Sequence, residues 1–178
     1  TFIIAEAGVN HNGSIKQALK MVKIAADSRA DAVKFQSFIA QEEISKFAPK
    51  AKYQLKSTDT HESQLEMVEK LELNKDDHLV LIESCKQYNI EFMSSPFDLK
   101  SINMLQELNV NRLKIPSGEI TNLPYMRQIS RMGKPVIMST GMATLEEVWA
   151  ALNVLVKGGM EKDQITVLHC NTEYPTPM

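Results

Sequence analysis

Two lysines in strand-like runs carry the strongest chemical signal. Lys34 lies in Val33-Lys34-Phe35-Gln36, and Lys114 in Leu113-Lys114-Ile115. Side chains alternate across a strand, so Lys34 and Gln36 share one face while Val33 and Phe35 take the other. The apolar face should pack on helices. That turns Lys34 inward, where an ammonium is costly unless an anion pairs with it. A bound phosphate or carboxylate would satisfy it, and so would a buried ion pair with Glu6 or Glu119. Lys114 is followed by Pro116-Ser117-Gly118-Glu119. A lysine, a hydroxyl and turn N–H groups together make a phosphate cradle. Glu119 beside it is a candidate for proton handling. The plainer reading is a turn with a solvent lysine; a second interior lysine on another strand weighs against it.

Other segments add polar groups at strand ends. AEAGVNHNG, Ala5 to Gly13, offers Glu6 as a substrate-orienting carboxylate, with Asn10 and His11 shaping a rim. The plainer reading, favoured on residue type alone, is a βα turn with a capping network, its glycines supplying backbone shapes other residues resist. SSPFD places Ser94 and Ser95 before a strand-stopping proline. STGMAT places Ser139 before a helix start, which favours anions. HCNTEYPTP presents Asn171, Thr172 and Tyr174 after a strand. His169 reads as a packed strand histidine, and Cys170 has no neighbouring base that would make it a nucleophile. His11, His61, His78 and His169 show no metal-ligand spacing, so no metal ligands are assigned within the chain.

These residues need elements to hold them. Short β-branched runs at Phe2–Ala5, Ala32–Gln36, Ile90–Ser94, Arg112–Ile115, Pro135–Ser139 and Ile165–Cys170 alternate with amphipathic stretches. The first such stretch has Ile15, Ala18, Leu19, Val22, Ala25 and Ala26 on one face, behind Ser14 as N-cap. Further helices are expected near Gln64–Leu71, Lys75–Tyr88, Leu99–Leu108, Tyr125–Met132 and Leu145–Lys157. Ser37 to about Ser63 is too long for an ordinary connection and reads as a functional loop or lid. Strand–helix alternation implies parallel strands with right-handed crossovers. A doubly wound sheet would use only the strand ends near its switch point, whereas a barrel uses them all. Polar residues follow every strand, so the expected fold is an α/β (β/α)8 TIM barrel. Complete barrels run ~250 residues. At 178 residues the chain is expected to hold about six βα units of one, cut short at its C-terminal side.

Bulk properties narrow the functional classes. An apolar content of 43% is that of an ordinary globular domain, and a net charge of −2 gives no field to attract nucleic acid or an anionic membrane. No apolar run spans a bilayer, no signal peptide is visible, and two cysteines make no disulfide framework. The expectation is a reduced, cytoplasmic protein.

Taken in order, AEAGVNHNG, VKFQSF, YQLK…ESQLEMVEKLEL, SSPFD, KIPSGE, STGMAT and HCNTEYPTP resemble the N-terminal barrel of the sialic acid synthases. The resemblance covers essentially residues 1–178. It implies condensation of phosphoenolpyruvate with an N-acyl mannosamine, N-acetylmannosamine first, giving N-acetylneuraminate and phosphate. A legionaminic acid synthase using a diacetamido-trideoxy-mannose acceptor is the alternative within the family. Carried over by position, Lys34, Ser95, Lys114, Ser117 and Ser139 hold phosphoenolpyruvate. Gln36 and Tyr174 contact the acceptor, with Glu6 near its hydroxyls and either Asn171 or Thr172 supplying one more contact. Glu6, Glu119, Lys34 and Lys114 form the implied catalytic set.

The resemblance also implies parts this chain does not hold. A divalent metal, Mn2+ or Mg2+, acts as Lewis acid in the full-length enzyme. Its histidine ligands sit in SDH- and KHFT-type segments on strands seven and eight, which this sequence lacks. The resemblance implies, too, a C-terminal antifreeze-like domain that reaches over a partner's site in a homodimer, and this sequence is expected to stop before it. Arg29 stands where the family usually has glycine after the first helix, at a left-handed position. Outside the family, a Schiff-base aldolase using Lys34 or Lys114 would fit two interior lysines, though a hydroxyl-rich mouth suits it poorly. An inactive barrel fragment is the non-enzymatic reading.

Overall fold

The computed structural model describes residues 1–49, 62–172 and 176. It divides into two compact units, Thr1–Phe92 and Met93–Met178.

In the first unit β1 (Ile4–Gly8) pairs in parallel with β2 (Ala32–Ser37), joined by α1 (Ile15–Asp27). β1 starts two residues later than the sequence suggests, so Glu6 lies within the strand rather than at its end. The ladder aligns Glu6 with Lys34 and then slips by a residue, so that Gly8 meets Phe35. Such a bulge re-aims side chains at the strand exit. Ser14 caps α1 as expected, accepting from the Gln17 N–H at 3.3 Å. Ala18, Val22 and Ala25 form its buried stripe.

After β2 come α2 (Ala40–Glu43), α3 (Gln64–Glu69) and α4 (Lys75–Gln87). The Ser37–Ser63 stretch is therefore not loop throughout, because α2 occupies part of it. Residues 50–61 of the expected lid lie outside the described residues. Reciprocal capping boxes, Ser63 with Glu66 and Asn74 with Asp77, start α3 and α4. Gly13 takes φ +73°, and its α-carbon faces the Lys70 carbonyl so closely that no β-carbon fits. β3 (Glu91–Pro96) begins in this unit beside β2.

The second unit carries the parallel sheet β4 (Leu113–Ile115), β5 (Val136–Ser139), β6 (Ile165–Leu168) in that order. Helices α5 (Leu99–Glu107), α6 (Leu123–Ser130) and α7 (Leu145–Lys157) separate the strands. β6 ends before His169, which is exposed, so the expectation of a packed strand histidine fails.

Most helices end alike. After α1, the Arg29 N–H reaches Ala26 O at 2.9 Å and the Ala30 N–H reaches Ala25 O at 3.1 Å, with Arg29 at φ +60°. This paired closure is a Schellman motif. Asn89 (φ +52°) ends α4, Asn109 (φ +53°) ends α5 and Gly159 (φ +110°) ends α7 in the same way. The left-handed position inferred for Arg29 is thus real, and arginine occupies it where glycine or asparagine would be easier.

Candidate active site

In the first unit the bulge and the strand pairing collect Glu6, Lys34 and Gln36. Lys34 Nζ lies 2.6 Å from Glu6 Oε2, its side chain 12% exposed against 52% for the carboxylate. The Lys–Glu pair that the sequence left as one of two readings is present, with Glu6 as the partner. A half-exposed carboxylate remains open to a ligand while it neutralises the lysine. Gly8 lets the group close up: a β-carbon there would stand 3.1 Å from Glu6 Oε1 and 3.9 Å from Gln36 Nε2. Behind β2, Val33 and Phe35 are buried, as strand alternation requires.

His11 does not shape a rim. It is fully buried against Phe35, with ring centroids 6.2 Å apart. Its Nδ1 accepts the Gly13 N–H at 3.1 Å, and its Nε2 has no hydrogen-bond partner among the described residues. Burial lowers its pKa, opposed by Asp77 and reinforced by His78.

In the second unit the strand ends gather a separate set of donors. Lys114 Nζ donates to Ser139 Oγ at 2.6 Å, from β4 to the adjacent β5, and to Ile115 O at 2.9 Å. Lys114 is 8% exposed, so this ammonium is held largely away from water. Ser117 Oγ, on the 3₁₀ turn Ser117–Glu119, accepts the Gly141 N–H at 3.0 Å. A β-carbon at Gly141 would lie 2.6 Å from Thr172 Cγ2 and 3.1 Å from Ser117 Oγ.

Cys170 sits among these groups, which sequence reasoning missed. Its Sγ accepts the Thr140 N–H at 3.3 Å and lies 3.8 Å from Ser117 Oγ. Burial pushes the thiol up. Hydrogen bonds from Ser139, Thr140 N–H, Ser117 and Gly141 N–H outweigh it and hold the thiol below its usual range. Donors able to stabilise a thiolate are suited to an anionic oxygen too. The glycine of STGMAT was the one available signal, because it marks a close backbone approach.

Ser95 is buried at the end of β3, Asn171 is exposed and Thr172 half-buried beside Gly141. Glu119 Oε2 accepts from Asn122 Nδ2 at 2.7 Å, a local bond within its turn. Tyr174 lies outside the described residues. Among the described residues no three His, Cys, Asp or Glu side chains converge to hold a metal ion. No helix among them is long and apolar enough to cross a membrane.

Parallel βα units with lysines, hydroxyls and turn amides on or beside their strands define an α/β protein. The comparisons are specific about which: residues 21–178 match the NeuB family model, and the chain belongs to the NeuB family. It is 58% identical over 177 residues to the N,N'-diacetyllegionaminic acid synthase of Campylobacter jejuni, spanning 99% of this chain and 53% of that protein. The Legionella pneumophila protein of the same name is 47% identical across 98% of this chain and 49% of its own length. The crystal structure of N-acetylneuraminic acid synthetase from Leptospira borgpetersenii superposes with a TM-score of 0.85 at 34% identity, over 99% of this chain and 56% of that one. The chain spans about half the length of the curated relatives it matches.

Proposed function

We propose that the complete protein condenses phosphoenolpyruvate with an N-acyl mannosamine-type aldose to form a nine-carbon sialic-acid-type sugar acid. The Lys114–Ser139 contact carries this reading: a water-poor ammonium and a hydroxyl on adjacent strand ends suit a phosphate or carboxylate. The NeuB family and the two legionaminate-forming relatives support it.

In the proposed reaction the enolic carbon of phosphoenolpyruvate attacks the acceptor aldehyde. Water adds to the resulting cationic carbon, and phosphate leaves with C–O cleavage. Lys114, Ser117 and Ser139, with Lys34 and Ser95, hold phosphoenolpyruvate. Gln36, Tyr174 and Asn171 or Thr172 contact the acceptor, with Glu6 oriented toward its hydroxyls. Glu119 keeps its assignment to proton handling. Both lysines are engaged as cationic donors, Lys34 to a carboxylate and Lys114 to a hydroxyl and a carbonyl, which disfavours the aldolase alternative.

The acceptor we favour is the diacetamido-trideoxy-mannose of legionaminic acid rather than N-acetylmannosamine. The 58% and 47% identities to proteins named for that product support the change. A (β/α)8 barrel, a cytoplasmic homodimer and a divalent metal complete the proposal. The metal would polarise the aldehyde. Among the described residues no three His, Cys, Asp or Glu side chains gather to hold it.

The test is phosphate release by the complete gene product from phosphoenolpyruvate, with each acceptor at equal concentration. Release with the diacetamido sugar well above that with N-acetylmannosamine is expected. The reverse order moves the acceptor assignment, and no release with either sinks the proposal.

A further inference from the structure

The face of β2 opposite Lys34 and Gln36 carries Phe35 and Ser37, and both are tied to buried imidazoles. Phe35 stands between His11 at 6.2 Å and Phe92, stacked at 5.9 Å, centroid to centroid. Phe92 in turn meets His78 edge-on at 6.0 Å. His78 closes the row from α4. Its Nδ1 lies 2.8 Å from Asn74 O, which can only accept, so Nδ1 carries the proton. Nε2 is then the acceptor for the Ser37 hydroxyl at 2.7 Å. At the other end His11 Nδ1 accepts the Gly13 N–H, fixing the turn that follows Glu6. Both histidines are 0% exposed, so neither is placed to touch a substrate.

We infer that His11 and His78 are positioning residues: the row from His11 through Phe35, Phe92 and His78 to Ser37 fixes the back of β2, and so sets where Lys34 and Gln36 stand beside Glu6. Apolar side chains would fill the same space without the desolvation cost of two imidazoles. What an imidazole adds is direction. A hydrogen bond to Ser37 and another to Gly13 fix the strand end and the β1–α1 turn in a way that packing alone does not. Ser37 directly follows Gln36, so a shift at Ser37 moves the acceptor contact first, and a misplacement of about 1 Å at a reacting centre can cost roughly 10²-fold. The inference rests on the proposed roles of Glu6, Lys34 and Gln36.

The experiment compares Ser37→Ala, His78→Phe and the double variant in the complete gene product, with Leu81→Ala as a packing control on α4. Each single variant is expected to lower kcat/KM for the acceptor by about tenfold, the worth of one buried hydrogen bond. The double variant should be no worse than the poorer single one, because both remove the same bond. His11→Leu should raise the acceptor KM, and His11→Asn, which keeps an acceptor for Gly13, should restore it. Leu81→Ala should lower Tm and leave the kinetic constants of the folded enzyme alone. If the serine and histidine variants behave like Leu81→Ala, the positioning role is overturned. If the unaltered protein releases no phosphate, the proposed function fails separately, and the Gln36 side-chain amide resonance decides. Ser37→Ala must shift it and Leu81→Ala must not; an unmoved resonance overturns the inference.

Discussion

Lys114 on β4 and Ser139 on β5 are joined by a 2.6 Å hydrogen bond at the ends of neighbouring parallel strands. Hydrogen bonding from the same serine helps hold the Cys170 thiol below its usual range. Removing the cation should be the costliest single change in this cluster. Lys114→Met is expected to lower kcat/KM for phosphoenolpyruvate by roughly 10²–10³-fold, the range for a preorganised charged donor. Ser139→Ala should cost about tenfold. Steady-state phosphate release at varied phosphoenolpyruvate checks both, and a Lys114→Met enzyme with normal KM and kcat would remove Lys114 from the site.

Cys170 should react faster than Cys85 with iodoacetamide at pH 7.5. Its thiol is held below the usual range and is partly accessible. Burial pushes the Cys85 thiol up to about 12 and leaves it 1% exposed. Phosphoenolpyruvate should slow the labelling of Cys170, because ligand and thiolate compete for the same donors. Mass spectrometry of labelled peptides reads both rates.

Arg29→Gly should stabilise the protein by about 0.5–1 kcal/mol, because relief of an L side chain held at φ +60° outweighs the extra chain entropy that glycine loses on folding. Arg29 is not among the candidate substrate contacts, so turnover should not change. Gly13→Ala should do the opposite. Both the φ of +73° and the Lys70 carbonyl oppose a β-carbon, and a loss of about 2–4 kcal/mol is expected. Urea unfolding of the two variants against the parent gives the comparison.

Stability should fall on acidification. Burial lowers the folded-state pKa of both His11 and His78 below the usual 6.5; near His78 the Asn74 carbonyl and Asp77 oppose the shift without reversing it. The unfolded chain therefore binds protons first as pH drops through 6.5, and unfolding is favoured from there down to the folded pKa values. Protonated His11 would also lose its bond from Gly13, since Nδ1 could no longer accept. Urea midpoints at pH 7.5 and 5.5 should differ, and His11→Asn should narrow the gap.

Much of this was legible in the chain itself. Strand alternation put Lys34 and Gln36 together and Phe35 behind them, and the polar residue after each strand named most of the donors. Period and capping placed α7 at Leu145–Lys157, as found. What stayed hidden depends on distant partners. Cys170 looked inert because its donors come from Ser117 and from the β5 exit, far away in sequence. His11 looked like a rim residue because its ring partner, Phe35, belongs to another strand. Whether Lys34 meets a carboxylate or a ligand was undecidable from residue types, since Glu6 reaches it only through the β1–β2 register.

The recurring left-handed closure at Arg29, Asn89, Asn109 and Gly159 has a practical consequence for engineering. Each closure lies where a helix hands the chain to the next strand, whereas the candidate substrate contacts lie within strands or where strands hand the chain to helices. Within each unit, then, the helix closures and the proposed substrate contacts occupy different parts of the same βα repeat. Substitutions at the first set can raise the melting temperature in advance, leaving a reserve of stability against which acceptor preference at the second set can be redesigned.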